Sequence, residues 1–380
     1  MPLSTLSKYE HQFELELVNE AVEHETVELR KLKKLHRKAW GVPTLKPTKE
    51  STGRTTKRIK TAEDMFRSAA GKGTPRVKEA NQMEATGMGK VWMTRRRVDG
   101  RLFLAQEIRD DDGVLESASE SLLRLLNHNN LVSLVDVVGS EGDEPVFMVW
   151  EYCQSGTLSR VLRICSDKRL KMPESFCWHV LHSLTQSLLW LHKGVKIDPI
   201  TSSAVCHDDD WHTVLVGGLQ PTNIFFAAPD GTSPFGPAKL GCFSSATVCI
   251  DSKTIEHNDG PSELTSFQPP EIVEKFGSWT TAAEIWSLGA IIYHMMAGHP
   301  PDLSLSGVSN EDLEQAWASE IPSNFSDTLC QTVMWILIPE PAGRPSILRF
   351  WSVMNHNFMT WQQTTREGRR YGAACKGKSC

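Results

Sequence analysis

The segment Val146-Phe-Met-Val-Trp-Glu-Tyr-Cys-Gln-Ser-Gly-Thr-Leu158 marks a change of pattern within this chain of 380 residues. Its first five residues, up to Trp150, are continuously apolar, which indicates a buried strand. Beyond Gly156 the apolar positions follow a helical pattern instead. The segment therefore separates a strand-rich part of the chain from a helical part.

Upstream of this segment, short apolar strands are expected. Apolar residues alternate on two of them, at Val91, Met93, Leu102 and Leu104. The Asp99-Gly100 dipeptide between the two is typical of a hairpin turn. The pattern next predicts a helix over residues 115–126 and an apolar strand over 131–138.

Downstream, two long apolar stretches cover residues 176–192 and 285–296 without an interrupting proline. Both are too long for strands, so they predict buried helices. A small strand-rich part followed by a larger helical part predicts a two-lobed α+β fold.

The N-terminal part has a different composition. Residues 8–39 lack Gly and Pro and carry apolar residues at steps of three and four, which predicts an amphipathic helix within residues 1–40. That helix could dimerise with another chain or fold back on its own domain. Residues 41–81 are expected to form a basic flexible linker.

A basic run overlaps this linker. Between Arg30 and Lys60 there are twelve Lys or Arg residues against one acid, Glu50. A solvated linker, a nuclear address and a patch for acidic partners are the alternatives. The expected remaining divisions are a strand-rich lobe over 82–152, a helical lobe over 153–360 and a basic tail over 361–380.

Composition excludes several classes of protein. The formal net charge of -5 argues against a chain-wide nucleic-acid binder. The start of the chain lacks the apolar run of a signal peptide, and no stretch of about 18 apolar residues predicts a membrane span. The nine cysteines are scattered, which favours a reducing compartment over a disulfide framework. A cytoplasmic or nuclear protein is expected.

The order of several motifs resembles the eukaryotic protein-kinase family, from about residue 84 to residue 351. The opening segment looks like the family's hinge strand, and Gln268-Pro-Pro-Glu271 resembles the A-P-E element that closes the activation segment. The segment 284–289 is similar to the buried helix that follows, and Gly343-Arg-Pro-Ser346 resembles the late arginine motif. The resemblance implies a buried ion pair between Glu271 and Arg344.

The resemblance also assigns positions to a nucleotide pocket: Gly87, Gly89, Val91, Trp150, Glu151, Cys153 and Asn223. In the glycine-rich loop, Glu84 and Thr86 stand where the first two glycines belong, and a glutamate beside a triphosphate is repulsive. Trp150 holds the gatekeeper position, where its indole would narrow the back of the pocket.

Four further positions of the family pattern have lost their functional side chains. The catalytic aspartate is replaced by Gly218 and the nearby phosphate-steadying lysine by Gln220. Gln106 replaces the strand lysine, and Cys242 replaces the aspartate that holds magnesium. A thiol is a poor ligand for magnesium, so no metal site is expected.

These replacements predict a pseudokinase that acts as a protein-binding scaffold or regulator. Its partners would be other proteins, with neither membrane nor specific nucleic acid. No cofactor is expected, or ATP without strong magnesium dependence. The alternatives are a serine/threonine kinase with an atypical site and a nucleotide-binding latch without turnover.

Two other departures from the family pattern stand out. Glu284 replaces the aspartate that normally fastens the catalytic loop from below. An unusually long insert, which contains Cys206, His207 and His212, precedes Gly217. It is expected to be a solvated surface loop, with a metal site as the alternative, because its spacing matches no known metal motif.

Overall fold

A computed structural model of the protein describes residues 91–96, 100–108, 128–138, 146–198, 204–206, 211–228, 234–243, 246–249, 266–274, 278–303 and 309–376. These residues belong to two compact units. The first unit is strand-rich, and the second holds all the described helices. The predicted helices over 8–39 and 115–126, the linker, and the loop glycines Gly87 and Gly89 lie outside the described residues.

A four-stranded sheet is built from strands β1 (Val91–Arg95), β2 (Leu102–Ile108), β3 (Leu134–Val138) and β4 (Val146–Glu151). Its strand order is β1-β2-β4-β3. The strands β1 and β2 pair antiparallel, and Gly100 between them has a φ of 70°, which glycine adopts without strain. The predicted hairpin is confirmed.

The sheet buries one side against a small apolar cluster. Phe103 and Ala105 on β2 pack with Val149 on β4, and Val135 on β3 covers them. Phe103 and Ala105 are two residues apart and share one face, as the period of a strand requires. The strand itself was predicted from Leu102 and Leu104, which are only partly buried, so the face of β2 that is buried is the opposite one.

The second unit contains eight described helices: α1 (Leu158–Lys168), α2 (Glu174–Lys193), α3 (Pro270–Val273), α4 (Thr281–Ala297), α5 (Asn310–Glu320), α6 (Asp327–Ile336), α7 (Ile347–Thr364) and α8 (Arg366–Lys376). The helices α2 and α4 coincide with the two long apolar stretches, so both predicted helices are confirmed. They pack against each other, and α7 covers α2.

The ends of α4 follow from local chemistry. The hydroxyl of Thr280 accepts a hydrogen bond from the backbone N–H of Ala283, which satisfies a donor at the helix start. Gly298 ends the helix with a φ of 90°. Between these caps the helix is buried almost throughout, because its residues are apolar on every side.

Seven short strands complete the second unit: β5 (Gly156–Thr157), β6 (Val195–Ile197), β7 (Ala204–Cys206), β8 (Thr213–Leu215), β9 (Ile224–Phe226), β10 (Ala238–Leu240) and β11 (Thr247–Cys249). They form a sheet of order β10-β9-β5 and the pairs β11-β8 and β6-β7. The pairing of β9 with β10 and of β8 with β11 positions the loops of the candidate site.

Residues 128–134 group with the helical unit, although a continuous strand-rich lobe over 82–152 was expected. Leu131 forms a bridge to Leu240 on β10. The backbone N–H of Val132 donates to the carbonyl of Leu240, and that of Leu240 donates to the carbonyl of Asn130, both at 2.8 Å. These main-chain bonds attach the segment to β10, and its apolar pattern alone does not reveal them.

The expected basic tail over 361–380 is helical in its described part. The helix α8 packs on α2, where the hydroxyl of Tyr371 lies 3.0 Å from Nδ1 of His179. The backbone N–H of Ser175 donates to a carboxylate oxygen of Glu367 at 2.8 Å. One buried tyrosine in a polar stretch is too weak a pattern to predict this packing. None of the described helices combines the length and apolarity needed to cross a membrane.

Candidate functional site

The loop that carries the degenerate catalytic motif follows β8. The backbone N–H groups of Val216 and Gly217 both donate to the Oε1 atom of Glu284, the second at 3.1 Å. Gly217 has a φ of 74°, a conformation that favours glycine. The loop is therefore held in a specific conformation from within the core.

The carboxylate of Glu284 is entirely buried and fully engaged. Besides the two loop N–H groups, Oε1 accepts a hydrogen bond from Nε1 of Trp279 at 3.1 Å. The Oε2 atom lies 2.8 Å from Nε2 of His192. A buried carboxylate needs such partners, because burial of an unpaired charge is costly. Glu284 departs from the family pattern, but its longer side chain still fastens the catalytic loop.

Gly218, at the position of the family's catalytic aspartate, faces open space. Apart from its two chain neighbours, no atom of the described residues lies within 4 Å of a Cβ built on this residue. Its carbonyl oxygen accepts a hydrogen bond from Nδ2 of Asn223 at 2.8 Å. Among the described residues, packing does not demand a glycine at this position.

Cys242 is brought next to this loop through Gly241, whose N–H donates to the carbonyl of Asn223 at 2.9 Å. A Cβ on Gly241 would lie 2.8 Å from Cγ2 of Val132, so this approach requires glycine. The structure thus places Gly218, Asn223 and Cys242 together, as the motif spacing implied.

The thiol of Cys242 is poorly suited to hold a cation. Burial raises the pKa of Cys242 to about 12, so the thiol stays protonated at neutral pH. Its φ of 63° is left-handed, a conformation that costs a residue with a Cβ on the order of 1–2 kcal/mol. Asp visits this region more readily than Cys.

A buried lysine lies close to the same loops. Nζ of Lys239, on β10, is 3.0 Å from Oε2 of Glu151 and 3.3 Å from the carbonyl of Leu131. The same carboxylate oxygen accepts from the backbone N–H of Ser133 at 3.3 Å. Sequence reasoning missed this ion pair, and a lysine inside a short apolar strand was the one signal for it.

In the strand-rich unit, Gln106 lies directly opposite Val91 in the register of β1 and β2. The indole Nε1 of Trp150 donates to Oε1 of Gln106 at 3.1 Å. A lysine has three donors and no acceptor, so it could not accept this bond. The two altered positions therefore fit each other, a relation that sequence reasoning missed because they are far apart in the chain.

The structure also shows the local environment of three other predicted site positions, Gln220, Cys153 and Val91. Gln220 precedes the 3-10 turn Pro221–Asn223, and its carbonyl accepts the backbone N–H of Asn223 at 3.0 Å. Cys153 is buried, which raises the pKa of its thiol to about 12. The backbone of Val91 is described as part of β1, and its side chain lies outside the description.

Arg344 and Glu271 are paired in the structure. The guanidinium NH1 and NH2 lie 2.6 and 2.8 Å from the two carboxylate oxygens, a bidentate arrangement. The arginine also donates to the backbone carbonyls of Ala282, Ile338 and Pro339. This ion pair ties the end of the activation segment to the late helices of the same unit.

The insert before the catalytic loop is more ordered than a solvated loop. Within its described part, β6 pairs antiparallel with β7, and Trp211 packs on Trp190 with ring centroids 4.5 Å apart, while residues 199–203 lie outside the description. Nε1 of Trp211 donates to the carbonyl of Leu191 at 3.0 Å. Residues 207–210 lie outside the description. Within the described residues, no group of three His, Cys, Asp or Glu side chains could hold a metal ion.

Comparison with known proteins agrees with the motif order. The family described as "Protein kinase domain" matches residues 86–359. The serine/threonine-protein kinase Nek2 of Homo sapiens is 27% identical over 274 residues, which cover 68% of this chain and 55% of that protein.

Two further relatives are more distant in coverage or identity. The probable serine/threonine-protein kinase nek2 of Dictyostelium discoideum is 21% identical over 285 residues, 73% of this chain and 62% of that protein. The G2-specific protein kinase nim-1 of Neurospora crassa is 26% identical over 276 residues, 68% of this chain and 30% of that protein. The chain thus spans less than two thirds of the length of these relatives.

Proposed function

We propose that this chain, which belongs to the protein kinase domain family, acts as a non-catalytic protein-binding module. One observation carries the proposal. The positions of the strand lysine, the catalytic aspartate and the metal-binding aspartate hold Gln106, Gly218 and Cys242, all uncharged at neutral pH.

Phosphoryl transfer depends on these charges. The protein contributes mainly positioning and electrostatic stabilisation, with the metal ions neutralising the phosphates. Loss of one charge can be compensated by a neighbour. Loss of three leaves Asn223 as the remaining metal-binding residue of the family pattern, and its Nδ2 already donates to the carbonyl of Gly218.

The parts of the fold that need no catalysis are retained. Glu284 still holds the loop backbone, and the bidentate Glu271–Arg344 pair is present. A chain that keeps its internal supports while losing its reacting groups remains able to present a folded surface to other proteins. This contrast supports a scaffold or regulator.

A phosphotransfer assay tests the proposal directly. The purified full chain is incubated with magnesium-ATP and a mixed protein substrate, and transfer to the substrate and to the chain itself is measured. The expected result is no transfer above that of a heat-denatured sample. Transfer that disappears in Asn223→Ala would refute the proposal and support the serine/threonine kinase alternative.

A thermal-shift measurement with ATP separates a scaffold from a nucleotide-binding latch. A ligand at 100 times its dissociation constant stabilises the folded state by about 2.7 kcal/mol. We expect no magnesium-dependent shift of the unfolding temperature. A shift that ATP produces equally with and without magnesium would favour the latch.

A restored variant provides the matched control for this measurement. It combines Gln106→Lys, Gly218→Asp and Cys242→Asp with Trp150→Met, so that no indole is left without the acceptor of Gln106. Asp suits the open space at position 218 and the left-handed backbone at 242. A magnesium-dependent shift gained only by this variant would identify the lost charges as the cause.

A further inference from the structure

A groove opens in the helical unit between α1 and the end of α4. None of the residues that line it belongs to the catalytic motifs. We call it the α1–α4 groove. Its volume is about 280 Å³, and its floor is formed by four buried side chains, Met172, Met295, Met296 and Phe325. Methionine side chains are flexible and polarisable, and they are common on surfaces that accept varied apolar partners.

The size of the groove limits what it can hold. Pockets for drug-sized ligands measure roughly 300–1,000 Å³. At about 280 Å³ the groove lies just below this range, so it suits one or two apolar side chains better than a whole cofactor. An occupant anchored here would have to extend over the rim.

The rim is basic. Arg169 and Lys171 line the groove and are exposed, and Arg163 and Lys168 are exposed on the adjoining helix α1. Asp167 is the one acid in this stretch. Among the described residues, neither Arg169 nor Lys171 has a carboxylate within ion-pair distance. The rim therefore favours acidic groups on an occupant.

The groove is also lined by His294, which adds no positive charge to that of the rim. Burial lowers the pKa of His294 to about 4, so the imidazole is neutral at physiological pH. The positive potential at the groove comes from the lysine and arginine side chains alone.

The backbone at the rim supports a binding role. Arg169 caps α1 in the left-handed conformation, with a φ of 51°, where helices most often place glycine. The N–H of Leu170 donates to the carbonyl of Cys165 at 2.9 Å, which completes the capping motif. The hydrophobic residue of this motif usually packs against its helix, but Leu170 is 55% exposed.

From these observations we propose that the α1–α4 groove binds a protein segment that carries an apolar anchor residue flanked by Asp or Glu. The anchor enters the methionine-lined floor beside Leu170, and the flanking carboxylates meet Arg169 and Lys171. Charge complementarity at the rim sets orientation and association rate, while the buried anchor supplies most of the affinity.

This inference deepens the proposed scaffold function by naming a surface and the chemistry of its partner. The scaffold proposal and the groove proposal are tested by different experiments. Phosphotransfer by the chain would refute the scaffold and leave the groove unaffected, because an active kinase can carry the same surface. Failure of the groove experiment would leave the nucleotide measurements unchanged.

A peptide selection tests the groove. A random library of 12-residue peptides displayed on phage is selected on the immobilised full chain. Peptides that also bind the double variant Arg169→Gly/Lys171→Glu are removed. We expect the survivors to share one Leu, Met or Phe next to Asp or Glu. Synthetic copies should bind the double variant at least about tenfold more weakly.

Two further variants serve as controls. Arg169→Gly alone removes one rim cation but suits the left-handed backbone, so any loss of binding cannot come from unfolding. Lys193→Glu makes the same charge change as Lys171→Glu at an exposed position at the end of α2 and should leave binding unchanged. Raising the salt concentration from about 0.05 to about 0.5 M should weaken the peptides' binding.

Several outcomes would overturn the proposal. One is a set of survivors without acidic residues. Another is peptide binding that Lys171→Glu and Lys193→Glu reduce equally. A third is that phosphatidylserine vesicles or oleate, but no peptide, bind in a manner sensitive to Arg169→Gly/Lys171→Glu, which would assign the groove to lipids.

Discussion

The underside and the open face of the catalytic loop differ sharply, although they belong to the same few residues. Below the loop, Glu284 accepts hydrogen bonds from Val216, Gly217 and Trp279. On the open face, the part of the chain that the structure describes places no atom, other than those of the chain neighbours, within 4 Å of where a side chain of Gly218 would begin. The backbone geometry of the loop thus depends on Glu284, whereas its chemistry depends on the residue at position 218.

The physical cost of change explains this difference. A buried carboxylate that satisfies several donors cannot be lost without leaving them unpaired in the core. A carboxylate at an open position has no such neighbours, so its loss removes chemistry without disturbing the fold. A chain can therefore lose catalysis while it keeps the supports of the catalytic loop.

The largest effect is expected below the loop. Glu284→Ala should destabilise the protein by about 3–5 kcal/mol, because it removes the carboxylate that pairs with buried N–H donors and with the imidazole of His192. Denaturant unfolding measures the change. Glu274→Ala, at an exposed position, is the control and should stay within about 0.5 kcal/mol. Equal effects at both positions would contradict the comparison.

The next effect concerns the reactivity of Cys242. Because its pKa is raised from 9.0 to about 12, its thiolate fraction at pH 8 should be about a thousandfold below that of an ordinary cysteine. Iodoacetamide labelling followed by mass spectrometry should modify the exposed Cys206 first. At about pH 10 only on the order of 1% of Cys242 should be ionised, so its labelling should still be far slower than that of Cys206.

The raised pKa of Cys242 also fixes the direction in which the free energy of unfolding changes with pH. A folded-state pKa above the unfolded value means that the buried neutral thiol of Cys242 stabilises the fold fully below pH 9.0. That contribution is lost as the pH rises from 9.0 toward about 12. Cys242→Ser should reduce this part of the alkaline destabilisation. An unchanged alkaline profile together with rapid labelling of Cys242 would show that its thiol is accessible and ionised.

A smaller effect is expected in the strand-rich unit. Gln106→Leu should cost about 1–3 kcal/mol, because it removes the acceptor of the buried Trp150 indole. The double variant Gln106→Leu/Trp150→Phe should recover most of that loss, since neither partner then needs a hydrogen bond. Thermal unfolding of the wild type, the two single variants Gln106→Leu and Trp150→Phe, and the double variant completes the cycle. Additive losses would mean that the two side chains do not depend on each other.

The smallest effect is expected on the open face. Gly218→Asp should change stability by no more than about 0.5 kcal/mol, because an added Cβ has no described atom within 4 Å beyond its chain neighbours. Gly241→Asp is the contrast, because its Cβ would clash with Val132 and Phe225 and should destabilise the protein clearly. Chemical denaturation compares the two. A strong loss at position 218 would show that the open face is constrained after all.

Strong local patterns explain the parts of the fold that could be predicted. The β1–β2 hairpin, α2 and α4 each carry a clear period or a long apolar run, so their type and position agree with prediction. The β6–β7 hairpin and α8 were not predicted. Each makes long-range contacts that no local pattern shows, such as Lys196 of β6 over the ring of Trp190 and Tyr371 of α8 beside His179.

Part of the candidate site could likewise be predicted from the sequence, and part could not. Motif spacing assigned roles to Gly218, Asn223 and Cys242, and hydrogen bonds join Gly218 to Asn223 and Asn223 to Gly241, the residue before Cys242. It could not show that Gln106 accepts the indole of Trp150, since these residues are separated by 44 positions. It also could not show that a glutamate at 284 would reach the loop as an aspartate does in the family.

The sequence by itself determined the family, the α+β class and the identity of the missing charges, because these depend on residue types at fixed spacings along the chain. Only the tertiary structure decided which replacements disturb the fold and which leave a vacant position. That outcome depends on neighbours that are distant in sequence: partners surround Glu284, whereas open space surrounds Gly218.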